Sequence, residues 1–65
     1  MQITLNGEPV DTAAHDLAEL LAALGHAPDS VATAVNGAFV AYADRAARPL
    51  EDGDRVDVVA PMAGG

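Results

Sequence analysis

The residues whose chemistry stands out are the last five of the sequence, Pro61-Met62-Ala63-Gly64-Gly65. They carry no charged side chain and suggest neither a helical period nor a partner strand. Taken alone, such a stretch reads as an ordinary frayed terminus. Its reactive group is the α-carboxylate of Gly65, ionised at neutral pH with a reference pKa of about 3.3–3.7. Such a carboxylate can attack the α-phosphorus of ATP to give an acyl-adenylate. Replacement of AMP by sulfur then leaves a thiocarboxylate, a carrier of nucleophilic sulfur. To enter an enclosed active site the terminus must pass as extended backbone. Gly64 and Gly65 have no Cβ and allow close approach at any φ. Small Ala63 and flexible Met62 continue the same slender probe. Ordering such a tail costs entropy, so the docking energy has to come from the folded body.

The other chemistry-bearing residues form no constellation. His15 and His26 fall on opposite sides of a leucine stripe, and the chain has no cysteine. A zinc site needs three or four ligands, so both read as surface residues and no metal is expected. Glu51, Asp52 and Asp54 lack the spacing of a calcium loop and read as a solvated turn. Ser30 and the threonines have no base at motif spacing, so nucleophilic catalysis has no support and no catalytic residue is assigned. The expectation is a protein that is not itself an enzyme.

The elements that must position the tail belong to a small body. A chain of 65 residues hides only about 60% of the surface its unfolded form exposes, which leaves little room for a deep pocket. Its 51% hydrophobic content is largely alanine and valine, with one Phe39 and one Tyr42, enough for a globular core. Acidic residues outnumber arginines ten to three, giving a net charge of −7. That repels nucleic-acid phosphates and anionic lipid, and is read as solubility before it is read as steering toward a basic partner. With no lysine, self-linked lysine chains are excluded. The longest uncharged run, Val31 to Ala43, is too short to span a bilayer. Met1-Gln2-Ile3-Thr4 has no basic region, so no signal peptide and a cytoplasmic location are expected.

Along the chain, Met1, Ile3 and Leu5 alternate with polar residues as in a half-buried strand. Asn6-Gly7 predicts a tight hairpin into Glu8-Pro9-Val10, and Pro9 puts that second strand at a sheet edge. Leu17, Leu20, Leu21 and Leu24 recur at i, i+3, i+4 and i+7 and predict one amphipathic helix. Its start is open among Asp11, Thr12 and His15, with Asp16 in the first turn; Gly25 ends it and Pro28 prevents resumption. Val31 to Val35 and Ala38 to Ala41 form a second hairpin around Asn36-Gly37. Tyr42 to Arg48 reads as an irregular or helical crossing ended by Pro49. Leu50 is expected inside, Glu51 to Asp54 on the surface, and Arg55 to Ala60 as the last strand with Val56 and Val58 on one face. Two hairpins flanking one helix call for a single mixed sheet with that helix across it, an α+β fold of β-grasp, ubiquitin-like type. The expected division is a β-grasp domain at 1–60 and a flexible tail at 61–65.

The stretch Leu50-Glu51-Asp52-Gly53-Asp54-Arg55-Val56-Asp57-Val58-Val59, continued by Ala60-Pro61-Met62-Ala63-Gly64-Gly65, resembles the ThiS family, the sulfur carriers of thiamine biosynthesis. Ala34-Val35-Asn36-Gly37 and Asp16-Leu17-Ala18-Glu19-Leu20-Leu21 resemble it at matching places, so the likeness spans essentially the whole chain. The resemblance implies a β-grasp fold, adenylation of Gly65 by a ThiF-type adenylating enzyme that consumes ATP, sulfur supplied by a donor protein, and delivery to thiazole synthase. It implies a thiocarboxylate on Gly65, passage of the tail through Gly64, Ala63 and Met62, and no cofactor bound to the carrier. The chain departs from the family at Ala41-Tyr42-Ala43-Asp44-Arg45, where members often carry Pro-Arg and a tryptophan. It departs again at Ala63, where a polar residue is common. The small subunit of molybdopterin synthase shares fold and tail, and a carrier for another sulfur metabolite is a further alternative. From a different class, so is a ubiquitin-like interaction domain with an inert tail.

Overall fold

Both Asn-Gly pairs turn the chain back on itself. Asn6 and Gly7 have φ of 49° and 86°, and Asn36 and Gly37 have 51° and 84°. Positive φ at both central residues gives a turn whose twist matches the flanking strands, and asparagine and glycine tolerate it best. In the computed structural model, which describes residues 1–60, these turns join β1 (Gln2–Leu5) to β2 (Glu8–Asp11) and β3 (Ala32–Val35) to β4 (Ala38–Val40). A fifth strand, β5 (Arg55–Val59), lies between the hairpins, and the sheet order is β2-β1-β5-β3-β4. β5 runs parallel to β1 and antiparallel to β3. Pro9 sits in β2 at the sheet edge, where its missing N–H costs no ladder bond.

The helix α1 (Leu17–Leu24) crosses one face of the sheet. Asp16 is its N-cap rather than a first-turn residue. Its carboxylate accepts the Glu19 N–H at 2.8 Å, while the Glu19 carboxylate accepts the His15 N–H at 2.8 Å. This reciprocal pair settles the start that the sequence left open. The hydrogen bonds from His15, its backbone N–H foremost, hold the Glu19 carboxyl below its ordinary range. At the other end Gly25 takes the left-handed conformation (φ 81°), and the N–H groups of Gly25 and His26 close the helix onto Ala22 and Leu21.

Side chains alternate across each strand, so one face of the sheet meets the helix. Ile3, Val35, Val56 and Val58 are buried there against Leu17, Leu20 and Leu21, with Leu50 tucked in as expected and Leu5 partly buried at the margin. Leu24 departs from expectation. It is 37% exposed, at the last residue of the helix. The crossing after β4 is a 3-10 segment, Tyr42–Ala47. Val31 and Ala41 lie just outside the strands assigned to them by sequence.

Among the described residues two charged ones are buried. Asp54, expected in a surface turn, is 7% exposed. Its carboxylate closes the turn by accepting the Glu51 N–H at 2.9 Å and the Asn36 Nδ2–H at 3.0 Å. The Glu51 backbone bond is the main reason its carboxyl is held below the ordinary range. Arg45 is 4% exposed. It donates from Nε to Thr33 Oγ1 at 3.1 Å and from Nη2 to the Val31 carbonyl at 2.7 Å, and Thr33 in turn donates to the Val40 carbonyl at 2.8 Å. Its guanidinium also lies over the Tyr42 ring at 5.3 Å. Together these bonds tie the 3-10 segment to the start of β3.

Candidate functional site

The expected site residues Met62, Ala63, Gly64 and Gly65 lie outside the described residues. What the structure does define is the base from which they extend. β5 occupies the centre of the sheet, with β1 on one side and β3 on the other. Ala32 pairs with Val59, and Ala60 follows at the end of the sheet where β3 begins. The tail therefore departs from the central strand of the sheet. The pairing of β5 with β1 ends at Val56 and that with β3 continues to Val59, so at the root itself a strand lies on one side.

Around that root the helix-free face of the sheet is apolar and open. Phe39 is 73% exposed and Val59 61%. Phe39 pairs with Ala34, and Ala34 and Ala32 pair with Asp57 and Val59. Strand alternation puts all of these on the face away from α1. The small alanines between Phe39 and Val59 keep this face low, so a partner can approach both large side chains at once. Arg55 and Asp57 border it as a loose ion pair, 3.9 Å apart. Exposed apolar side chains grouped beside a charged border are the kind of feature found at contact sites for other proteins.

The remaining candidates are dispersed. His15 caps the helix start through Glu19, and its Nδ1 lies 3.1 Å from a Glu19 oxygen. His26 lies past the helix end, beside an apolar cleft of about 400 Å³ shared with Ala22, Tyr42 and Arg45. Among the described residues no group of histidines and carboxylates is arranged to hold a metal ion. Asp52 and Asp54 are both engaged within the chain: Asp52, at the surface, accepts the Gln2 N–H at 2.8 Å. No described helix is long and apolar enough to cross a membrane.

Sequence reasoning did not single out Arg45 or Asn6. Arg45 lies in the segment 41–45 where the chain departs from the family pattern, which was its only signal. Asn6 was read for its turn alone. Its carboxamide also reaches across to Val58, accepting the N–H at 2.8 Å and donating to the carbonyl at 3.2 Å.

A mixed sheet of two hairpins around a central last strand, gripped by one helix, defines a small ubiquitin-like protein of the β-grasp type, as the sequence implied. The ThiS family model matches residues 3–65. A crystal structure of the thiamine biosynthesis protein ThiS from Geobacter metallireducens is 32% identical over the whole of both chains, with a TM-score of 0.84. A solution structure of a thiamine biosynthesis protein from the same organism is 36% identical, with a TM-score of 0.84, covering this whole chain and 88% of that one. No curated protein matches the chain. The chain belongs to the ThiS family, a family of small sulfur carriers.

Proposed function

We propose that this protein carries sulfur for thiazole formation in thiamine biosynthesis, as a thiocarboxylate on Gly65. The observation that carries the reading is the family match, which runs through the central strand and the tail to residue 65. The two similar Geobacter metallireducens structures, both of thiamine biosynthesis proteins, support the pathway. In this reading a ThiF-type adenylating enzyme binds the tail and ATP. The Gly65 carboxylate attacks the α-phosphorus and pyrophosphate leaves. A sulfur nucleophile brought by a donor protein then adds to the acyl carbon and AMP leaves, so one oxygen of the carboxylate is replaced by sulfur. Thiazole synthase accepts that sulfur and the carrier returns to its carboxylate form. The chain serves as a cosubstrate and leaves the chemistry to its partners.

The body supplies recognition. The open face around Phe39 and Val59 is the docking surface for the adenylating enzyme, because it adjoins the tail root and because buried aromatic anchors dominate most protein interfaces. Incubation with a ThiF-type enzyme, ATP and inorganic sulfide tests the reading. The intact protein is expected to gain the mass difference of sulfur over oxygen. A chain extended by one residue after Gly65 is expected to gain nothing, since its carboxylate is displaced beyond the reactive phosphorus. An unmodified native chain under conditions that convert a known carrier would sink the proposal.

A further inference from the structure

β5 outruns its neighbour. Its parallel pairing with β1 stops at Leu5↔Val56, after which the Asn6 N–H makes one more bond to the Val56 carbonyl at 2.9 Å and the chain turns away at Gly7. On that side Val58 has no strand opposite it. The Asn6 carboxamide takes the strand's place, with Oδ1 accepting the Val58 N–H at 2.8 Å and Nδ2 donating to the Val58 carbonyl at 3.2 Å. One side-chain amide thus reproduces the acceptor and donor of a backbone peptide. It does so at the residue before Val59, where β5 ends.

Asn36 does a related task at the opposite end of the same strand. Its Oδ1 accepts the Arg55 N–H at 2.9 Å and its Nδ2 donates to Asp54 at 3.0 Å. The two residues share turn type, backbone conformation and chemistry, and differ in which end of β5 they hold. That makes one an internal control for the other.

We propose that Asn6 is a positioning residue for the reactive tail: by holding Val58 it fixes the direction in which the chain leaves the sheet, and so the delivery of the Gly65 carboxylate into a partner's active site. The inference rests on the carrier reading. Without the carboxamide the end of β5 is held from the β3 side alone and can fray back to Val58. The five residues beyond Ala60 reach at most about 17 Å, so where the root is held decides which points the Gly65 carboxylate can reach. Phe39, the larger side chain of the docking surface, lies on another strand and is untouched; only Val59, beside Val58, is within reach of the fraying. The signature is a loss of kcat that exceeds any rise in KM, since displacements near an ångström weaken catalysis more than they weaken binding of the remote body.

The test uses Asn6→Asp, Asn6→Gly and Asn36→Gly in the full chain. Asp keeps the size and the tolerance of positive φ but sets a carboxylate oxygen against the Val58 carbonyl. Both Gly variants keep their turns and lose their braces. In adenylation of the carrier by a ThiF-type enzyme, both Asn6 variants are expected to lower kcat by about tenfold, more than any rise in KM. Amide exchange at Val58 and Val59 should quicken in parallel. Asn36→Gly should lower thermal stability and leave kcat at the native value. Native kcat in the Asn6 variants overturns the proposal while leaving the carrier reading intact, and so does an Asn36→Gly variant as slow as Asn6→Gly. A native chain that is never adenylated overturns both.

Discussion

The two faces of the sheet are made from the same five strands and behave as different materials. On the helix side β-branched residues are close to fully buried, with Val56 at 0% and Ile3 at 1% exposure. On the other side the same strands present Thr4, Ala32, Ala34, Phe39, Arg55, Asp57 and Val59, none of them fully buried. Alternation along each strand separates the two sets, so neighbouring residues meet different surroundings, one the core and the other the open face. Val58 and Val59 are adjacent and chemically identical, yet one is 9% exposed and the other 61%. Sequence type alone does not assign a role; the register does.

The largest expected effect comes from breaking the helix face. Leu21→Ala removes a side chain 3% exposed and should cost about 2–5 kcal/mol, read from denaturant titration. A smaller loss would mean that the helix settles into the space. Next is Arg45→Met, which keeps bulk and removes the donors to Val31 and Thr33. It should cost about 1–3 kcal/mol, because a buried carbonyl loses its partner. On the open face Phe39→Ala should shift stability by less than about 0.5 kcal/mol while weakening binding to the adenylating enzyme by about 2 kcal/mol. Equal effects of Phe39→Ala on melting and on binding would dissolve the distinction between the faces.

Two gentler perturbations sharpen it. The Asp54 carboxyl is held below its unfolded value of 3.8, so the unfolded chain binds the proton more readily and stability rises with pH in that range. Its contribution is complete above the unfolded pKa and is lost as the pH falls through the lower folded one. Acid titration of stability should therefore be flatter in Asp54→Asn than in the native chain at the acid end, and parallel titrations would remove Asp54 from the account. The smallest effect is that of salt. If the net charge of −7 steers docking, added salt should slow association and leave dissociation nearly unchanged.

The turns and the leucine stripe were legible because each depends on local geometry. Asn-Gly adopts positive φ wherever it falls, and a 3.6-residue period marks one side of a helix regardless of what packs there. Leu24 was misassigned because periodicity does not reveal where the helix stops. Asp54 and Arg45 were missed for a different reason. Both are residue types that ordinarily face water, and their burial depends on bonding partners far along the chain, Asn36 for one and Val31 and Thr33 for the other. The second role of Asn6 was hidden likewise, since Val58 lies 52 positions away. Of the site, the tail lies outside the described residues, and its expected chemistry rests on its residues and its family resemblance. The apolar face at its root was not legible, because it is assembled from separate strands.

The parallel pairing of the first strand with the last has a consequence for how the molecule is made. β1 is synthesised first, yet its partner in the centre of the sheet arrives only with Arg55 and Val56. Until then the chain consists of two hairpins and a helix with no strand between them, and long-range pairing of this sort forms slowly. A chain released before β5 is complete cannot build the sheet, and so cannot assemble the open face around Phe39 and Val59. A folded body that could occupy an adenylating enzyme with nothing to offer it therefore arises only from a break within the few residues after Val59.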